Sequence, residues 1–173
     1  LYGELGTRYF LKDALGIAAG LHEYARNSEL FYMANYAQTV NVIGCIKTTK
    51  TAAEFDTPGL VLKLYRKHFG TAPVATETSP PLDAQAAWTE DRKALTLAVV
   101  NPSLKDVEIP LEIKGASLSG AGKRWQIAGK DPMAYNEPGK PRRVTIEEAP
   151  VSGISDRVSV PPCSITLFAL EVK

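Results

Sequence analysis

The residues able to do chemistry are few. Six carboxylates fall in the first 70 positions: Glu4, Asp13, Glu23, Glu29, Glu54 and Asp56. A pair of carboxylates is the usual equipment for cleaving a glycosidic bond. None of the six follows a buried strand, where a barrel enzyme places its catalytic groups, so all read as surface or capping residues. His22-Glu23 has the start of a zinc-protease helix motif, but Arg26 stands where the second histidine must be. The plainer reading is a solvated helix face with Glu23 and Arg26 one turn apart. His22 and His68 are the only histidines, too few for a His-rich metal site, and neither sits beside a nucleophile motif. Gly120-Ala121-Gly122 lacks the lysine and hydroxyl ending of a phosphate loop and reads as a surface turn. Trp88 and Trp125 could stack on sugar rings, although packing between sheets is the stronger reading. Gln38 and Asn41 are amides beside an apolar run, where an unpaired polar group is costly. They either bond the local backbone or point at a ligand. No complete active site and no cofactor site emerge from composition and spacing.

The elements that must position these residues differ between two halves. Eleven of the 12 prolines lie after residue 70, whereas ten of the 14 aromatic residues lie before it. Proline breaks helix interiors, so the first half can be helical and the second largely cannot. Leu11, Ala14, Leu15, Ala18, Leu21 and Ala25 form one face of a helix over 8–26, with Thr7 as its cap. Gly16 and Gly20 weaken it or mark a close neighbour. A second helix runs from a Thr57 cap through Pro58 to a stop at Gly70. Between them, Val40-Asn41-Val42-Ile43-Gly44-Cys45-Ile46 reads as a strand buried on both faces, the kind found in helix-covered parallel sheets. After Gly70 the period becomes two, in Leu95–Val99, Val107–Ile113, Val144 with Ile146, Val158 with Val160, and Ile165–Ala169. Short strands punctuated by turns predict an antiparallel β-sandwich, with Pro110 marking an edge strand.

Composition excludes several classes of function. Twenty basic residues against 19 acidic ones leave a net charge of +1, with no cationic surface for nucleic acid. No apolar run reaches the length of a membrane span, and the first residues lack the pattern of a signal peptide. Cys45 and Cys163 are too few for a disulfide framework. The chain opens on Leu1 with no methionine, which reads as a processed or truncated piece.

The stretch from Asp13 to Gly70 resembles the end of the catalytic barrel of glycoside hydrolase family 51, the α-L-arabinofuranosidases. The resemblance is carried by Asp13-Ala14-Leu15, by Met33-Ala34-Asn35-Tyr36-Ala37-Gln38-Thr39-Val40-Asn41-Val42-Ile43, and by Leu62 to Gly70. The later residues resemble that family's C-terminal sandwich more loosely, through Val99-Val100-Asn101, Tyr135-Asn136 and Ser164-Ile165-Thr166-Leu167. The resemblance implies the last helix–strand–helix elements of a (β/α)8 barrel over 1–70, followed by a jelly-roll-like antiparallel sandwich over 71–173. It implies a retaining, exo-acting enzyme that removes terminal arabinofuranosyl groups from arabinan or arabinoxylan. Gln38 matches the family's substrate-contacting glutamine, whereas Asn35 and Asn41 are expected to support its backbone. The two catalytic glutamates belong upstream, and Glu4 lacks the setting of either. The implied partners are an arabinose-containing oligo- or polysaccharide and the remainder of the barrel. A homo-oligomer is compatible with this reading, no nucleic acid, membrane or cofactor is implied, and the compartment is open between cytoplasmic and secreted. The competing expectation is a noncatalytic carbohydrate-binding or structural sandwich with a helical docking segment.

Overall fold

A computed structural model describes residues 6–173, so Glu4 lies outside the described residues. The first helix, α1, spans Leu11–Arg26. It starts three residues later than its periodicity suggests, because the Asp13 carboxylate reaches back to accept the Phe10 N–H at 2.7 Å. Thr7 is not the cap; its N–H donates to the Val42 carbonyl at 2.7 Å. Leu11, Ala14, Leu15 and Ala18 are buried as the spacing requires. Gly16 and Gly20 face open space and mark no close neighbour. The second helix, α2, spans Thr57–His68. Its cap is Asp56, whose carboxylate accepts the Thr57 N–H at 2.9 Å, while the Thr57 hydroxyl donates to the Phe10 carbonyl at 2.7 Å. The sequence expectation was one residue late. Gly70 ends the turn where an added Cβ would collide with the Trp88 carbonyl.

The doubly buried strand expected over Val40–Ile46 does not form. Gln38, Asn41 and Val42 have φ of 57°, 53° and 45°, a left-handed conformation that cannot continue an extended chain. Val40, Val42 and Ile43 are 47%, 55% and 40% exposed. Val40 makes a single parallel bridge to Ile46. A strand buried on both faces needs sheet neighbours on either side, and the described residues supply none here. The chain instead forms a short antiparallel hairpin of β1 (Ile46–Thr48) and β2 (Ala53–Phe55) before α2.

The second half builds a six-stranded antiparallel sheet. Its strands are β3 (Ala72–Val74), β4 (Asp83–Trp88), β5 (Ala94–Asn101), β7 (Leu118–Ala128), β8 (Glu147–Val151) and β10 (Ser164–Val172). Their spatial order is β3-β4-β5-β10-β7-β8. A separate ribbon pairs β6 (Val107–Pro110) with β9 (Arg157–Val160). The antiparallel sandwich is therefore present, and Pro110 closes a strand with only one neighbour, as an edge proline should. The outer strands of the large sheet carry Pro73 and Pro150, which blunt its edges.

Period-two alternation assigns the two faces of this sheet. Ala98, Val100, Ile165 and Leu167 pack with Leu11, Leu60 and Leu64 of the helices. Leu97, Val99, Phe168 and Leu170 pack with Val158 and Val160 of the ribbon. The central strands are thus covered twice, by helices on one side and by the ribbon on the other. Gly120-Ala121-Gly122 is not a surface turn but part of β7.

Candidate functional site

The segment joining α1 to β1 carries Gln38, and its geometry is set by a few side chains. Asn41 is the pin. Its Oδ1 accepts the Thr48 N–H at 2.8 Å and its Nδ2 donates to Thr48 Oγ1 at 3.0 Å. The Asn41 N–H donates to the Ile46 carbonyl at 2.8 Å, and the Ile46 N–H to the Thr39 carbonyl at 3.0 Å. Asn41 therefore bonds local backbone, one of the two alternatives its sequence context left open. Gly44 passes so close to the Thr39 to Asn41 backbone that no Cβ would fit.

Tyr9 and Lys47 support the same segment from beneath. The Tyr9 hydroxyl donates to the Ile43 carbonyl at 2.9 Å. Lys47, only 3% exposed, donates to the Val42 carbonyl at 3.1 Å, with its ammonium 5.2 Å from the Tyr9 ring centre. Burial pushes the Lys47 ammonium below its ordinary range, and nearby Asp56 partly opposes this. Tyr36 meets Tyr9 edge-on at 6.4 Å, and burial raises its phenol. Asp56 is 1% exposed and also raised by burial, although it accepts the N–H groups of Thr57 and Tyr9. Sequence reasoning missed Lys47; a lone lysine next to an apolar run was the available signal.

Above this platform Gln38 is exposed, as is Asn35. An amide presented this way can donate to one hydroxyl and accept from another. The same α1–β1 connection exposes several large apolar side chains, among them Leu30 (75% exposed), Tyr32 (99%) and Met33 (66%). Replacing Asn41 by alanine leaves the Thr48 N–H without its partner. That change should cost about 1–2 kcal/mol in urea unfolding, with the slope unchanged.

The remaining candidates fall outside this segment. Trp125 is 7% exposed and its ring is stacked on His68, centroids 3.8 Å apart; it packs the core, as expected, and offers no sugar platform. Trp88 is half-buried against the ribbon side. Glu23 and Arg26 pair at 3.0 Å as their spacing suggests, but His22 does not share their solvated face. It is fully buried between Asp83 and the Tyr65 hydroxyl. Its place seven residues after Leu15 and four after Ala18 was the signal for that burial. Among the described residues, no group of three or more His, Cys, Asp or Glu could hold a metal. Among the described residues, too, no helix is long and apolar enough to cross a membrane.

Comparison with known proteins places this arrangement. Residues 2–164 match the family model described as the alpha-L-arabinofuranosidase C-terminal domain. A probable alpha-L-arabinofuranosidase C of Aspergillus flavus is 33% identical over 158 residues, covering 80% of this chain and 31% of the relative. Its counterpart in Aspergillus clavatus is 32% identical over 179 residues, covering 92% of this chain and 34% of the relative. The chain thus spans about a third of the length of these relatives. Among solved structures, the alpha-L-arabinofuranosidase of Thermotoga maritima, described as an arabinose complex, superposes with a TM-score of 0.86 at 23% identity. That match covers 97% of this chain and 40% of the other. The model match over nearly the whole chain and the two Aspergillus relatives agree, and the chain belongs to the alpha-L-arabinofuranosidase C-terminal domain family.

Proposed function

We propose that this chain is the C-terminal part of a retaining, exo-acting α-L-arabinofuranosidase. Residues 1–70 complete its catalytic barrel and residues 71–173 form its sandwich domain. The observation that carries this reading is the exposed Gln38, in a left-handed turn that Asn41 pins, in a connection that also exposes Leu30, Tyr32 and Met33. The remainder of the barrel covers these side chains, since they have no stable reason to face water. The nucleophile and the acid/base come from that remainder, about 5 Å apart as retention of configuration requires. Gln38 binds hydroxyls of the terminal arabinofuranosyl group of arabinan, arabinoxylan or related oligosaccharides. Two neutral hydrogen bonds to a sugar ring position the anomeric carbon without taking part in proton transfer.

The test is Gln38→Ala in the assembled enzyme. It should lower kcat/KM for an aryl arabinofuranoside about 5- to 30-fold, corresponding to about 1–2 kcal/mol. Gln38→Glu retains an acceptor but loses the amide donor and should fall between the two. Unchanged kinetics in both variants would remove Gln38 from the site. Arabinofuranosidase activity of the 173-residue chain on its own would refute the assignment of the catalytic pair to other residues.

A further inference from the structure

The two histidines of this protein both sit in the seam between the helices and the six-stranded sheet. His22 of α1 is fully buried; its Nδ1 meets Asp83 at the start of β4, and its Nε2 lies 2.5 Å from the Tyr65 hydroxyl of α2. Asp83 in turn accepts Arg26 Nη2 on both oxygens at 2.8 Å. One protonation pattern satisfies all of these groups. Tyr65 O–H donates to Nε2, Nδ1–H donates to Asp83, and the carboxylate is held by Arg26. Burial, which raises the Tyr65 phenol, keeps that hydroxyl a donor. An imidazolium donates from both nitrogens, so the Tyr65 proton would lose its acceptor inside the core.

His68, at the end of α2, stacks on Trp125 of β7 at 3.8 Å with 23° between the rings. The two contacts answer acid differently: an imidazolium at His68 still stacks favourably on the Trp125 face, whereas one at His22 displaces the Tyr65 proton. We propose that His22 is an acid-sensitive latch that joins α1 to β4 and α2 while it is neutral and loosens α2 when it is protonated.

The surrounding charges agree with this direction. Burial lowers His22 most strongly and Arg26 on its own helix adds to this, while Asp83 from β4 opposes; Glu23 faces it only through Arg26. Burial, Lys67 of α2 and Lys123 of β7 also lower His68, opposed by Glu148 of β8, but its protonation breaks no hydrogen bond. A histidine lowered in the folded state binds fewer protons there than in the unfolded chain. Its stabilising contribution is therefore complete above an ordinary value of about 6.5 and is lost as pH falls below it. Asp83 is pushed up by partial burial, but His22 and Arg26 outweigh this and hold it below its usual range. Its own contribution is therefore lost only at more acidic pH.

The experiment is hydrogen exchange by mass spectrometry on the intact protein at pH 7 and pH 5, corrected for intrinsic exchange rates. The opening constant of the α2 amides should rise about tenfold on acidification. His22→Gln should abolish that rise, whereas His68→Phe, which keeps a ring on Trp125, should leave it largely intact. An acid response undiminished in His22→Gln, or absent from the wild type, overturns the proposal. Should His22→Gln fail to fold, NMR titration of the wild-type imidazoles decides. The His22 ring titrating below about 6.5, with its neutral form protonated at Nδ1, supports the latch; titration at or above that value overturns it.

Discussion

Leu64→Ala is expected to destabilise the protein by about 2–5 kcal/mol. Leu64 is fully buried on α2, in one cluster with Leu11 and Leu15 of α1 and with Ile127, Ile165 and Leu167 of the sheet. The walls of the cavity left by alanine are poorly able to close. On one side stand the central strands, whose backbones are fixed by ladders on both edges. On the other, α1 is held by the Asp83 contacts of His22 and Arg26. Both the lost transfer energy and the residual void then count. Urea unfolding should show a lower midpoint with an unchanged slope. Leu30→Ala is the control in the separated chain: that side chain is 75% exposed there, and its removal should stay within about 0.5 kcal/mol. In an assembled barrel the same change should cost more, which makes Leu30 a reporter of whether the apolar surface is covered. A cost below about 1 kcal/mol at Leu64 would contradict the seating of α2 on the sheet.

Gly122→Val should cost at least about 3 kcal/mol, the upper end of what overpacking normally exacts. Gly122 lies in β7 opposite Leu170 of β10 and Val151 of β8, next to the register shift between Leu170 and Val172. An added Cβ would meet the carbonyl oxygen of Ala169, a backbone atom that cannot swing aside as a flexible side chain could. The two strands would have to separate locally, and the ladder bonds flanking the bulge would stretch. The predicted signature is a lower unfolding midpoint together with faster exchange of the β7 and β10 amides around the site. Gly115→Ala gives a useful contrast. No atom lies within 4 Å of its added Cβ, although its φ of 83° is strained for alanine. Its cost should stay near 1 kcal/mol and leave the β7–β10 pairing intact.

The glycines of β7 also show why part of the fold was hard to read. Gly120 and Gly122 look like turn residues because glycine is the usual turn former. Here Gly122 is required by the close approach of two backbones, which only the register of β10 creates. Likewise Asp83-Ala84-Gln85-Ala86-Ala87-Trp88 forms β4 although alanine-rich sequence has low strand preference. Its burial on both faces is what permits small side chains there. The helices were more legible. Leu11, Ala14, Leu15 and Ala18 lie on the buried face that their spacing indicates, and α2 is punctuated by Asp56, Pro58 and Gly70 within a residue of expectation. The ends moved because capping depends on individual hydrogen bonds, such as Asp13 to Phe10.

The candidate site was legible in a different way. The block from Met33 to Ile43 indicated a family resemblance, and with it the role proposed for Gln38. The run from Val40 to Ile46 suggested a strand by composition alone. It forms left-handed turns where the described residues place no neighbouring strand on either side, and no local propensity encodes that setting.

Two determinations of different kind result. By itself the sequence determined the local periods, the change from helix to strand at Gly70, the near balance of charge, and the family to which the chain belongs. These are properties of neighbouring residues, or of patterns along the chain, and need no third dimension. Tertiary structure decided that a helix histidine, His22, is a buried link to Asp83 and Tyr65 and not part of a solvated face. It decided that Trp125 is core, that Gly122 is a crossing point, and that Gln38 stands on a turn pinned by Asn41. For His22 the partners Tyr65 and Asp83 lie 43 and 61 positions away along the chain, whereas the Asn41 pin reaches only to Thr48. A side chain's chemistry depends on what surrounds it, and for His22, Trp125 and Gly122 the surroundings exist only once the helices and strands have come together.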